Sequence, residues 1–256
     1  MGQGGQGGGD GMNLGGFFTD PSNWSGSAGI PALTAYHLYL TVLAVVLGAV
    51  IAIPVGAFIG HTGKGSFLVA GIANGFRALP ELGLLTLFVV LIGLGVVPVT
   101  LALVVLAIPP FLAGTYSGIN NVDSAVKDAA RGMGMREWSI LFRVELPIAL
   151  PLILAGLRTA TLQVIATATI AAYVGTSSLG YFIFLGENTS NYTIMLGGAI
   201  VIAALALIVE GLLALVQRLV VSPGLRTVRR RRRVVRSSSV TSSTMDVETA
   251  GGTSSS

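Results

Sequence analysis

The chain has 256 residues, 52% of them hydrophobic and only 10% charged, with a formal net charge of +4 and a mean hydropathy of +0.80. Ordinary soluble domains carry about 25% charged residues, so this composition excludes a typical soluble enzyme or binding module and points to an integral membrane protein. With no cysteine there is neither a disulfide framework nor a thiolate metal site, and His37 and His61 are too far apart for a helical metal pair, so no metal site is expected.

Residues 1–35 are expected to form a flexible tail. The first 30 or so are rich in Gly, Ser and Asn, carry Asp10 and Asp20, and lack the basic and apolar regions of a signal peptide. A membrane domain is predicted over 36–220, with spans at Tyr36 to Ile59, Phe67 to Leu94, Val97 to Tyr116, Pro147 to Tyr173 and Thr193 to Gln217. At about 20 to 28 residues each, helices rising about 1.5 Å per residue cross a hydrocarbon core of about 30 Å. The runs do not alternate as membrane strands do, so the class is all-α. Arg77, Pro80 and Glu81 interrupt the second run, where a missing amide donor and two charges break or kink a helix.

The fifteen Lys and Arg residues all fall on one side: at Lys64, in and around the 117–146 loop, in the C-terminal region, or within spans at Arg77 and Arg158. The positive-inside rule then predicts an N-terminus outside, with the 117–146 loop and the C-terminus in the cytoplasm. Five crossings from an outside N-terminus give the same answer. Residues 221–256 are expected to be disordered, with Arg229 to Arg233 ahead of a Ser/Thr-rich end. That basic run reads as an anchor on anionic lipid headgroups rather than a nucleic-acid contact.

The 117–146 loop is polar where its surroundings are not. Asp123 is suited to cap a short helix on which Val126, Ala129, Ala130 and Met133 share one face, with two alanines on an exposed surface that allow close approach of another protein. Asp128, Lys127 and Arg131 lie at its rim, and Gly132 and Gly134 end it. A second short helix starts near Arg136, carries Trp138, Leu141 and Phe142, and stops at Leu146-Pro147, with Pro147 in the first turn of the next span. The alternative is an amphipathic helix lying on the membrane surface, which leaves the glycine turn unexplained.

The run Asp128-Ala129-Ala130, three residues, Gly134, nine residues, Val144-Glu145-Leu146-Pro147 resembles the signature loop of the permease subunits of type I ABC importers, the binding-protein-dependent inner-membrane components. The usual pattern has Glu for Asp128 and Ile for Val144. The resemblance covers about Tyr36 to Val220 and implies a five-span type I permease core. It makes Asp128, Ala129, Ala130, Gly134, Leu146 and Pro147 the loop that couples to a cytoplasmic ATPase dimer. It further implies a second permease copy or a homologous one, an extracytoplasmic solute-binding protein, a bacterial plasma membrane location, and no cofactor on this chain, since ATP–Mg is bound and hydrolysed by the partner. The chain is not expected to be an enzyme.

Several stretches are most similar to the osmoprotectant branch, which imports glycine betaine, choline and carnitine: Ala78-Leu-Pro80, Thr115-Tyr-Ser-Gly-Ile119, Ala155-Gly-Leu-Arg-Thr-Ala160, and Thr167-Ala-Thr169 ahead of Gly175. The turn Gly175-Thr-Ser-Ser-Leu-Gly180 departs from that branch's glycine-rich turn. The alternatives are an importer of an amino acid such as methionine, or a stand-alone secondary transporter or channel, for which no internal repeat is found.

The resemblance makes the break at Arg77, Pro80 and Glu81 part of the translocation pathway or its gate; Arg77 snorkelling to the headgroups is the other reading. Arg158, about 16 Å along span four, is placed at a subunit interface or against a carboxylate, with Glu210 as a possible partner. Tyr173, Tyr181 and Phe182 are suited either to a quaternary ammonium or to the membrane interface, and the second reading is preferred. Gly63-Lys64-Gly65-Ser66 resembles a phosphate-binding loop, yet position 58 is Phe and 65 is Gly, so no ATP site is read there.

Overall fold

The computed structural model describes residues 13–75 and 79–221, and no strand occurs among them. Ten α-helices follow in order: α1 Leu14–Thr19, α2 Ile30–Thr62, α3 Ser66–Gly75, α4 Glu81–Ile92, α5 Val96–Asn120, α6 Ser124–Gly132, α7 Glu137–Ile140, α8 Leu146–Ala168, α9 Gly180–Asn188 and α10 Tyr192–Val220. A π-helical turn, Leu141–Glu145, joins α7 to α8, and a 3₁₀ turn, Thr169–Val174, follows α8. The chain forms one unit up to Ala214 and a second from Leu215, in which the last turns of α10 end with the Val221 amide donating to the Gln217 carbonyl at 3.0 Å.

Four helical stretches are long and apolar enough to cross a membrane: Ile30–Thr62, Val96–Asn120, Glu137–Val174 and Tyr192–Val220. The remaining predicted run is divided into α3 and α4, of 10 and 12 residues, on either side of Leu79 and Pro80. Pro80 stands as the N-cap of α4, where its missing amide donor is tolerated, and it disfavours the helical region for the residue before it. Arg77 lies outside the described residues.

The core is made by α2, α5 and α8. Leu40, Ala44 and Ala52 of α2 meet Leu103, Ala107, Phe111 and Leu112 of α5, and Ala160, Val164 and Ala168 of α8 close the third side. Small residues bring these helices together, as in membrane bundles where packing rather than water exclusion drives association. A methyl added to Gly114 of α5 would lie 2.8 Å from the Leu152 carbonyl oxygen and 2.9 Å from Gly156 Cα, both on α8. Outside this core, Val42, Val46 and Val50 on α2 and Leu207, Ile208 and Leu212 on α10 are exposed, the apolar surface expected of helices that face lipid.

Residues 13–35 differ from the expected flexible tail. The Asn13 side chain accepts from the Gly16 amide at 2.9 Å to start α1, and Asp20 accepts from the Ser22 amide at 2.9 Å to start a 3₁₀ turn. Phe17 is then buried edge-on to Phe182, ring centroids 5.4 Å apart, in a cluster with Ile30, Leu33, Leu179 and Leu205. Two adjacent phenylalanines gave this polar stretch enough apolar surface to dock. α2 accordingly begins at Ile30, six residues before the predicted span.

Candidate functional site

At the end of α5, Asp123 turns the chain into α6: its carboxylate accepts from the Ala125 amide at 3.0 Å, satisfying a donor that the first helical turn leaves open. The helix stops at a glycine. Gly134 has φ +79°, a left-handed conformation that costs an L-residue about 1–2 kcal/mol, and its amide donates to the Arg131 carbonyl at 2.9 Å. The predicted helix, glycine turn, helix unit is therefore present. Its second helix does not end at Pro147, however. The π turn carries α7 directly into α8, with the Leu146 amide reaching back to the Leu141 carbonyl, so proline's missing donor is absorbed without a break.

The faces of α6 also differ from the expectation in one respect. Asp128, Ala129, Met133 and Gly134 are exposed, whereas Ala130 is only 2% exposed. Only one of the two alanines faces outward, because the helix turns Ala130 and Lys127 toward the rest of the unit. Leu146 packs with Ile119, Leu141 and Ala149 beneath the loop, and Pro147 is exposed. Trp138 and Phe142 are exposed and stacked, ring centroids 6.3 Å apart.

Two layers of charge hold the loop. The outer layer is Arg131, whose Nε donates to Glu137 Oε1 at 2.9 Å and whose Nη1 donates to Asp128 Oδ1 at 2.9 Å. The guanidinium holds the Glu137 carboxyl below its ordinary value, and Glu137, then Asp128, raise the pKa of Arg131 in turn. Such exposed pairs contribute little to stability, so their effect is to orient α6 against α7. The inner layer was not legible from the sequence. Glu145, fully buried, accepts from His61 Nδ1 at 2.6 Å and lies 3.0 Å from Lys127 Nζ, and His61 Nε2 is 3.4 Å from Glu137 Oε2. His61 comes from the last turn of α2, 84 positions from Glu145.

The other predicted site residues lie elsewhere. Pro80 is exposed at the start of α4, and the Glu81 carboxylate accepts from Thr167 Oγ1 at 2.8 Å beside a small cavity lined by Leu85, Val99, Leu103 and Ile170. Arg158 pairs with Glu210, as their positions in the sequence suggest. Phe182 is buried edge-on to Phe17 and to its neighbour Tyr181, while Tyr173 is exposed and touches Phe184 instead. Among the described residues no group of His, Asp and Glu is arranged to hold a metal.

A family model described as "Binding-protein-dependent transport system inner membrane component" matches residues 52–222. The permease protein OpuCB of a glycine betaine/carnitine/choline transport system from Bacillus subtilis (strain 168) is 38% identical over 193 residues, covering 75% of this chain and 89% of the relative. The osmoprotectant import permease protein OsmW of Salmonella typhimurium is 32% identical over 202 residues, covering 77% and 94%. Among solved structures, an inward-facing conformation of the MetNI methionine ABC transporter is similar in fold, with a TM-score of 0.68 at 22% identity, over 80% of this chain and 100% of that one.

Proposed function

The chain belongs to the family of binding-protein-dependent transport system inner membrane components, permeases of ABC importers in the bacterial inner membrane, and on that premise we propose that its cargo is a quaternary amine osmoprotectant such as glycine betaine, choline or carnitine. The observation that carries the substrate class is the naming of relatives at 32–38% identity over most of their length. The methionine transporter shares the fold at 22% identity, which speaks to architecture and not to cargo.

In this reading the membrane domain covers 36–220 and crosses five times, α3 and α4 together making the second crossing. The N-terminus lies outside and residues 221–256 lie in the cytoplasm. Residues Asp128, Ala129, Ala130, Gly134, Leu146 and Pro147 form the part that seats on a cytoplasmic ATPase dimer. That dimer binds and hydrolyses ATP–Mg; this chain is not the enzyme. A second permease, identical or homologous, completes the pore, and an extracytoplasmic solute-binding protein delivers the cargo.

The exposed face of Asp128, Ala129 and Met133 supports docking, since Ala129 and Met133 are presented outward beside an Asp128 held in place by Arg131. ATP-driven closure of the ATPases moves the loop, and α8 moves with it because the π turn leaves no flexible joint between α7 and α8. To switch access, the docked loop must favour one state over the other by a few kcal/mol. The broken second span, with Arg77, Pro80 and Glu81, and the Arg158–Glu210 pair are the polar features within the membrane that we assign to the pathway or its gate.

Uptake of radiolabelled glycine betaine and choline by the complete transporter in proteoliposomes tests the reading. Competition by carnitine and indifference to methionine, histidine and proline are expected. Saturation by methionine without any effect of betaine would instead assign the chain to amino-acid import.

A further inference from the structure

The covalent chain links the docking helix α6 to α8 through the glycine turn, α7 and the π turn, but it offers no direct route to α2, the longest helix of the core. Among the described residues two polar routes connect them: an exposed one from His61 through Glu137 to Arg131, and a buried one through Glu145. This carboxylate is fully buried and is shared by His61 from the end of α2, at 2.6 Å, and Lys127 from α6, at 3.0 Å. Both partners are themselves mostly covered, with side chains 12% and 15% exposed, and Lys127 Nζ also donates to the Ile119 carbonyl at the end of α5, at 3.4 Å. Three helices and the π turn therefore meet on one charge.

A buried charge of this kind is a poor device for stability, because desolvating the ions offsets most of their attraction, and apolar residues of similar size often serve as well. What it does supply is register: once shielded from water, the carboxylate has low energy only where both the Lys127 ammonium and the His61 ring reach it, so the helices that carry them move together or not at all. The exposed Arg131 pairs are screened by water and salt and do not impose this condition.

We propose that Glu145 is a positioning residue which, through Lys127 and His61, locks α6 to the end of α2, so that movement delivered at the docking helix reaches the first long helix as well as α8. The inference rests on the transporter reading above. It concerns how force divides inside the chain, not which solute is carried.

The test uses the permease assembled with its ATPase and receptor in proteoliposomes, with glycine betaine as the probe, and reads ATP hydrolysed per molecule imported. Glu145→Gln, which keeps the shape and removes the charge, is expected to raise that ratio at least fivefold while receptor-stimulated hydrolysis stays within twofold of the wild type. His61→Gln, at the other end of the latch, is expected to raise it at least threefold, and Glu145→Gln combined with Lys127→Gln to be no worse than Glu145→Gln alone. Non-additivity of this sort marks a single coupled unit. An unchanged ratio in Glu145→Gln, or in His61→Gln if Glu145→Gln does not assemble, would overturn the proposal, as would simple addition of the two losses. A wild-type complex that hydrolyses ATP yet imports no betaine counts against the substrate reading instead, and leaves the latch to be judged with the solute that is imported.

Discussion

Two adjacent alanines illustrate how much a single position on a helix decides. Ala129 is exposed on α6 and Ala130 is buried, so the same substitution has two distinct outcomes. Ala129→Trp is expected to leave the protein folded and inserted but to block seating of the ATPase, seen as loss of ATPase copurification. Ala130→Leu inserts three carbons into a filled site and is expected to cost about 1–3 kcal/mol, seen as a lower melting temperature of the detergent-solubilised permease. Gly134 is the third such position. With φ +79° it tolerates no β-branched residue, and Gly134→Val is expected to cost about 1–2 kcal/mol locally and to reduce uptake far more than it reduces expression. The spacing of Asp128, Ala129, Ala130 and Gly134 was readable because capping, helical period and glycine are local rules. Which alanine faces inward was not, since α6 has few residues and its inner side is marked by Lys127 reaching Glu145, a contact that no local rule gives. The role of His61 was equally hidden, because nothing local relates it to a carboxylate 84 positions away.

At the level of helices, the long apolar runs and the break at Pro80 were legible for the same reason: hydropathy and the proline ring act within one turn. The errors fell where tertiary packing intervened. Phe17 and Phe18 fold a stretch whose composition reads as a tail, and the π turn at Leu141–Glu145 absorbs Pro147 where a helix end was expected. The approach of α5 to α8 gives a direct prediction. A side chain at Gly114 would strike the Leu152 carbonyl and Gly156 Cα, which are backbone atoms that cannot rotate away, so Gly114→Leu is expected to lower thermal stability markedly while Gly132→Ala, which meets open space, is nearly neutral. Between α8 and α10, the Arg158–Glu210 pair is expected to behave as one unit: Arg158→Gln and Glu210→Gln each reduce yield in the membrane, and the double variant is no worse than either, which a double-mutant cycle measures.

For the whole molecule, the apolar composition and the family membership agree on a membrane permease. The family membership supports an importer permease, and the exposed, braced α6 is the place where we propose that work from a separate ATPase enters. The chain has no native cysteine, so a single introduced thiol reports cleanly. The decisive measurement is crosslinking from Ala129→Cys in membranes that contain the complete transporter, with thiols placed along the ATPase surface. A crosslink to the ATPase that changes in yield when ATP is added, together with protection from an impermeant thiol reagent applied outside intact cells, is the predicted result. Labelling of that thiol from the exterior, or failure to capture the ATPase from any position, would contradict it.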